Sequence, residues 1–191
     1  MNFAFFIGSS SEQLPVAKAL EANLTAEGHQ PTLWSREAHG SSEYNLEALL
    51  AAATSSDFAI FVFAPDDQVS IRGTTYGAVR DNILFELGLF AGELGRKCCF
   101  VVQRIDHPMR LPSDLEGLTT LTFSTKRADE NLRRALGPTT TTIVDQADRI
   151  AVSKESHLSD NDLSPAGGMQ RAQHALKSGI QGLWGEPANL E

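Results

Sequence analysis

The stretch DFAIFVFA (57–64) decides the fold, because a continuous apolar run is the pattern of a strand buried on both faces of a parallel sheet. FAFFIG (3–8) and KCCFVVQ (97–103) repeat that pattern. QPTLW (30–34) and LTTLTF (118–123) are less continuous, and we predict them as two further strands.

Helical segments separate the strands. Residues 9–28 carry apolar side chains at helical spacing, and Gly28 is placed to end that helix. YNLEALLAAATSS predicts a second helix beginning near Ser41 or Ser42, and NILFELGLFAGEL (82–94) predicts a third. The alternation predicts an α/β fold, a flavodoxin-like five-stranded parallel sheet in the order 2-1-3-4-5 with helices on both faces.

Composition excludes several classes of protein. The 191 residues, 41% hydrophobic and 21% charged, are typical of one soluble globular domain. A net charge of -8 with no run of Lys and Arg disfavours nucleic acid as a partner. The N-terminal apolar run is too short for a signal peptide or a membrane span, and we interpret Cys98 and Cys99 as reduced core residues. We therefore expect a cytoplasmic protein that makes no contact with a membrane.

The composition changes near residue 124, since all ten phenylalanines precede that point. We therefore predict a folded domain at 1–125. For 126–191 we predict a short helix (128–136), with room for another at IVDQADRIAV (143–152), and a poorly ordered tail or linker, which includes TTTT (139–142).

Ligands of open parallel sheets bind outside the carboxyl ends of the strands, where the strand order reverses. In the predicted order that crevice is lined by GSSSE (8–12) and by the long loop 64–82. The free N–H groups of a helix start, together with serine hydroxyls, can hold a phosphate group. The alternative is that these serines only cap the helix, in the capping-box pairs Ser9–Glu12 and Ser10–Gln13.

Asp66 and Asp67 follow the third strand and can bind a metal ion or a ribose, but Pro-Asp-Asp is equally a simple turn, which we favour. The histidines show no metal-ligand spacing and have no companion cysteines, so we interpret them as surface or loop residues and predict no metal site. They are His29, His39, His107, His157 and His174.

Glu86 stands among large apolar residues in NILFELGLF (82–90). On a helix it shares a polar stripe with Asn82 and Glu93, while Phe85 and Leu89 leave little room for a wide solvated face. An enclosed carboxylate is costly unless it has partners or a task. We therefore expect the stripe to open into the crevice; the alternative is that it faces water.

Five segments together resemble the bacterial TIR-like predicted nucleotide-binding domains of anti-phage systems such as CBASS and Pycsar. They are FIGSSSE (6–12), DFAIFVFAPDD (57–67), RG (72–73), RDNILFELGLFAGELGR (80–96) and LPSDLEGL (111–118). The resemblance would make 1–125 a TIR-like nucleotide-binding domain. It implies an NAD+ glycohydrolase that cleaves the nicotinamide–ribose bond, with NAD+ as substrate, no cofactor, and Glu86 as the catalytic residue.

The resemblance also implies which residues bind the substrate. The loop after the first strand would lie against the ribose or diphosphate, and the loop from Asp66 to Arg80 would border the nicotinamide side. Arg80 can instead be structural. The substrate-binding residues expected in this way are Gly8, Ser9, Ser10, Ser11, Asp66, Asp67, Arg72, Arg80 and Asn82.

TIR domains usually become active when they assemble, so the resemblance implies self-association and a cyclic-nucleotide sensor. The final ~65 residues are too few for a full receptor domain. We therefore expect the sensor to be a separate chain, or this chain to be part of a longer protein.

Two other hypotheses stay open. The same crevice can hold a nucleotide without turnover, as a signalling and assembly module. A nucleoside deoxyribosyltransferase-like enzyme also uses a crevice glutamate, but the acidic loop and the FELG segment argue against it. The sequence distinguishes neither ADP-ribose from a cyclic product nor one activating signal from another.

Overall fold

The computed structural model describes residues 1–34, 46–71, 73–106, 109, 115, 117–126 and 131–162. The chain divides into two compact units, Met1–Asp148 and Arg149–Glu191. All strands named below belong to the first unit. The predicted division of the chain at residue 125 stays a prediction.

A five-stranded parallel sheet forms the centre of the first unit, with a separate two-stranded hairpin beside it. The strands are β1 (Ala4–Gly8), β2 (Gln30–Trp34), β3 (Phe58–Phe63), β4 (Asp67–Ile71), β5 (Thr74–Ala78), β6 (Cys99–Arg104) and β7 (Thr119–Phe123). The sheet has the order β2-β1-β3-β6-β7, and every neighbouring pair is parallel. The predicted flavodoxin-like sheet is confirmed, and β3 is buried along its whole length as its apolar run predicts.

Four α-helices connect or follow the strands. They are α1 (Leu14–Ala26), α2 (Leu46–Thr54), α3 (Asp81–Leu94) and α4 (Leu132–Asp162). Gly28 follows α1 with φ of 87°, which confirms that it ends the helix. The start predicted for α2 near Ser41 or Ser42 lies outside the described residues.

Both faces of the sheet are covered, because successive strand side chains point to opposite sides. On one face Phe6 and Phe61 pack against Phe90 of α3, and Leu49 of α2 belongs to the same cluster. The chain reverses its direction across the sheet after β2, so right-handed crossovers place α1 opposite α2. Helix α4 lies beside α1, where the Asn23 amide donates a hydrogen bond to a backbone carbonyl of α4.

The segment predicted as a long loop at 65–80 contains a β-hairpin instead. Strands β4 and β5 pair antiparallel, and the first three residues of β5 are exposed. An exposed hairpin lacks the apolar alternation that marks a half-buried strand, so the sequence pattern did not indicate it. Gly77 lets the hairpin pack closely against Pro65, since a Cβ at position 77 would lie 2.5 Å from Cβ of Pro65.

The single helix α4 replaces the predicted short helix at 128–136 and the linker at TTTT (139–142). Leu136, Ile143 and Ala147 are fully buried, and packing of this face overrides the low helix propensity of threonine. Thr140 Oγ1 donates to the carbonyl oxygen of Leu136, and Thr139 Oγ1 donates to that of Thr122. Residues 163–191, which belong to the predicted tail, lie outside the described residues.

The two cysteines lie in the core as predicted, and His29 lies in a loop, between α1 and β2, as predicted. Cys98 and Cys99 are buried cysteines, and burial, followed by the neighbouring Cys98, raises the pKa of the Cys99 thiol to about 12. His29 is buried rather than on the surface, because its ring stacks on Phe3 and its Nδ1 accepts the Phe3 backbone N–H. The other four histidine side chains lie outside the described residues. No helix in the described part of the chain has the length and apolarity needed to cross a membrane.

Candidate functional site

An open cleft of about 310 Å³ lies where the strand order reverses between β1 and β3. One wall is the loop that follows β1, and the other is the start of α3, as the rule for open parallel sheets predicts. The lining residues are Ser9, Ser10, Ser11, Arg80, Asn82, Ile83 and Glu86.

Glu86 is the single acid among the described residues that line the cleft, and it is only 3% exposed. Helix α3 accounts for this position. Ile83, Leu87 and Phe90 form its buried stripe against the sheet, and Glu86 lies at the margin of that stripe, where the helix borders the cleft. A packed helix thereby holds an almost fully buried carboxylate at the edge of the cleft.

The prediction that α3 has no wide solvated face is wrong. Phe85 is 59% exposed, and Asn82, Gly88 and Glu93 are exposed as well. Only the stripe that contacts the sheet becomes buried, whatever the apolarity of the other positions. Phe85 thus lies on the solvated face of α3. Glu86 is buried as expected, but because it lies where the helix borders the cleft, not because apolar side chains surround the helix.

The serines of the β1 loop do not cap the helix that follows. Ser10 precedes a 3-10 turn at Ser11–Gln13 and makes no side-chain capping hydrogen bond. Its Oγ donates instead to Oδ2 of Asp66 over 2.5 Å. Ser9 is 8% exposed, and its Oγ has no hydrogen-bond partner among the described residues. A buried hydroxyl in a cleft wall is a group that a bound ligand can satisfy.

Asp66 ties the β1 loop to the segment that follows β3. Besides the Ser10 hydroxyl, its carboxylate accepts a hydrogen bond of 3.0 Å from Nε2 of Gln13. The favoured interpretation of Pro-Asp-Asp as a simple turn is therefore wrong, since Asp67 begins β4 and Asp66 holds two side chains of the β1 loop. The carboxylate of Asp66 stands behind the wall and fixes the loop.

Arg80 connects the two walls of the cleft, the β1 loop and the start of α3. Its Nη2 lies 2.5 Å from Oε1 of Glu12, and its Nε lies 3.9 Å from Oδ1 of Asp67. Arg80 precedes the first residue of α3 and also lines the cleft. It is the one basic side chain among the described lining residues, so both predicted roles, structural and ligand-binding, are open to it.

The predicted site residues fall into three groups. Ser9, Ser10, Ser11, Arg80, Asn82 and Glu86 meet in the cleft. Gly8, Asp66 and Asp67 lie behind its walls; Gly8 ends β1, and a Cβ there would lie 2.9 Å from the Phe61 ring. Arg72 lies outside the described residues.

Two residues of the network were missed as site residues. Gln13 was predicted only as a capping partner. Glu12 was predicted as a capping partner and, within GSSSE (8–12), as part of the crevice lining, but not as a partner of Arg80. Within the described part of the chain no group of histidine, cysteine and acidic side chains could hold a metal ion.

The topology and the position of the cleft define the class of protein: a flavodoxin-like α/β domain with a cleft at its switch point. Residues 4–125 match the family model described as "CAP12/Pycsar effector protein, TIR domain". The chain belongs to this family, which confirms the resemblance to bacterial TIR-like domains of anti-phage systems.

The relatives carry related names. The chain is 40% identical to the Pycsar effector protein PaPycTIR of Pseudomonas aeruginosa over 133 residues, which cover 70% of this chain and 43% of that protein. It is 37% identical over 125 residues to the CD-NTase-associated protein 12 of Lachnospiraceae bacterium (strain RUG226), covering 65% of this chain and 39% of the relative. The chain thus spans about two fifths of the length of the curated relatives it matches.

Among solved structures, the metal-soaked Flv1 flavodiiron core from Synechocystis sp. PCC6803 is similar with a TM-score of 0.51 and 16% identity. The similarity covers 78% of this chain and 36% of the other. At this level of identity it shows the flavodoxin-like fold alone.

Proposed function

We propose that the domain is an NAD+ glycohydrolase, which hydrolyses the bond between nicotinamide and ribose, and that it acts as an effector in bacterial anti-phage defence. One observation carries the proposal: the buried carboxylate of Glu86 lines the same cleft as the Ser9 hydroxyl, which has no hydrogen-bond partner among the described residues. The family supports the defence role.

In the proposed reaction the C1′–N bond of the ribosyl pyridinium breaks, and its electron pair leaves with nicotinamide. Because the ring is cationic before cleavage, nicotinamide departs as a neutral molecule and no protonating acid is needed, unlike ordinary glycoside hydrolysis. Positive charge develops on the ribose, and the fixed carboxylate of Glu86, which is almost fully buried, stabilises it. Water then adds to C1′ and releases a proton to the solvent.

The other lining residues supply groups that suit a nucleotide. Ser9, Ser11 and Asn82 offer hydroxyl and amide groups for the ribose, whose hydroxyls both donate and accept hydrogen bonds. Arg80 offers a guanidinium for a phosphate group. Asp66 and Asp67 act from behind the wall, by holding the β1 loop and Arg80.

Assembly is part of the proposal. Because the chain covers about two fifths of its relatives, a signal perceived elsewhere in a longer protein, or in a separate chain, would drive self-association of this domain. The names Pycsar effector and CD-NTase-associated protein support a cyclic-nucleotide sensor as the source of that signal. We propose the cytoplasm as the compartment, since NAD+ is the substrate.

The test measures nicotinamide released from NAD+ by the purified chain, at high protein concentration or with a crowding agent to favour assembly. Glu86→Gln should lower release by roughly 100- to 1,000-fold, the loss typical when one electrostatic group of a transition-state site is removed. Glu93→Gln, an exposed acid on the same helix, is the matched control and should keep wild-type activity. Equal release by Glu86→Gln would refute the role of Glu86. NAD+ binding without any release would favour the non-catalytic module.

A further inference from the structure

Arg80 is already engaged in the cleft by acids of the protein itself. Glu12, in the β1 loop, contacts Nη2 of the guanidinium, and Asp67, at the start of β4, lies near Nε. The buried hydroxyl of Ser9 lines the same cleft without a hydrogen-bond partner among the described residues. A cation and a free donor that line the same cleft are the elements of an anion subsite.

The contacts that hold Arg80 are of a kind that a ligand can replace. The side chains of Arg80, Glu12 and Asp67 are 36%, 49% and 53% exposed. Exposed ion pairs contribute little to stability, because water and salt screen them. A phosphate group, by contrast, matches the fork of a guanidinium with two parallel charge-assisted hydrogen bonds.

We propose that Glu12 is an internal competitor for Arg80: it holds the guanidinium in the empty cleft, and a phosphate group of the bound nucleotide takes its place. The exchange leaves the hydrogen bonds from Ser10 and Gln13 to Asp66 intact, so the β1 loop keeps one of its two connections. Glu12 thereby sets the affinity of the cleft for phosphate-bearing ligands. Only the identity of the ligand as a nucleotide rests on the proposed function.

The experiment measures binding of ADP and of inorganic pyrophosphate to the full chain by calorimetry, without any catalytic readout. Glu12→Gln should bind ADP about two- to five-fold more tightly than wild type, the range that the loss of an exposed ion pair allows. Arg80→Gln should weaken ADP binding. The matched control is Glu27→Gln, an exposed glutamate after α1 that should leave the affinity unchanged.

The double variant separates displacement from a general change of charge. In the Arg80→Gln background Glu12→Gln should have no further effect, because there is no guanidinium left to compete for. Three results would overturn the proposal: no change of ADP affinity in Glu12→Gln, the same gain in the Arg80→Gln background, or a gain seen with pyrophosphate but not with ADP. Since ADP is not cleaved, absence of NAD+ hydrolysis would affect the proposed function and not this result.

Discussion

Replacing Asp66 with alanine tests whether this carboxylate holds the β1 loop, one wall of the cleft, against the segment that follows β3. It accepts hydrogen bonds from Ser10 Oγ at 2.5 Å and from Gln13 Nε2 at 3.0 Å, both in a partly buried setting. A hydrogen bond to a charged group contributes ~1.5–3 kcal/mol, and partial exposure puts these two near or below the lower end. Asp66→Ala should therefore lower the free energy of unfolding by about 2–3 kcal/mol. For a chain of this length that is a fall in Tm of roughly 4–12 °C.

Urea denaturation followed by circular dichroism measures the loss, with the slope m expected to stay unchanged. Asp66→Asn keeps one acceptor oxygen and should lose about half as much. Asp67→Ala, the adjacent acid with only an exposed ion pair at 3.9 Å, is the control and should change stability by less than ~0.5 kcal/mol. A loss below ~0.5 kcal/mol for Asp66→Ala, or an equal loss for Asp67→Ala, would refute the bridging role.

Two further predictions concern the core. Phe90→Ala removes a fully buried ring whose centroid lies 4.0 Å from that of Phe6, and should lower the free energy of unfolding in urea by about 3–5 kcal/mol. Phe85→Ala, on the exposed side of the same helix, should cost less than ~0.5 kcal/mol, and similar losses for both would contradict this division of α3. Burial raises the pKa of the Cys99 thiol from 9.0 to about 12. The stability that the protonated thiol contributes is therefore complete below pH 9 and is lost as the pH rises toward 12. Cys99→Val should flatten the alkaline fall in stability, and an unchanged pH profile would show that this thiol is not its cause.

The sheet was predictable because its residues leave few alternatives. Phe58–Phe63 is apolar at every position, which fits only an element enclosed on all sides, and its neighbours in the order, β1 and β6, have the same character. The switch point followed from that order, and with it the walls of the cleft. The sequence therefore indicated where the cleft lies, from strand patterns alone.

The details of the site depend on contacts between residues far apart in the chain, which local patterns do not contain. Ser10 fits a capping box at the level of sequence, but the carboxylate of Asp66, 56 residues later, attracts its hydroxyl instead. TTTT (139–142) looked like a linker because threonine is a weak helix former, whereas packing of the residues around it decides its conformation. In both cases tertiary contacts outweigh the local preference.

The charges around the cleft bear on the class of ligand that it favours. Glu86 lines it, and Glu12, Asp66 and Asp67 stand near its walls, against the single described lining cation, Arg80. Such a balance attracts positive charge and opposes phosphate. NAD+ carries both, a pyridinium at the bond to be broken and a diphosphate beyond the ribose. Under the proposed function the acids favour the cationic ring and the charge that develops on the ribose, and Arg80 offsets their repulsion of the diphosphate. Once nicotinamide becomes neutral, that attraction disappears. The same acids that favour binding of the substrate therefore lower the affinity of the cleft for the products.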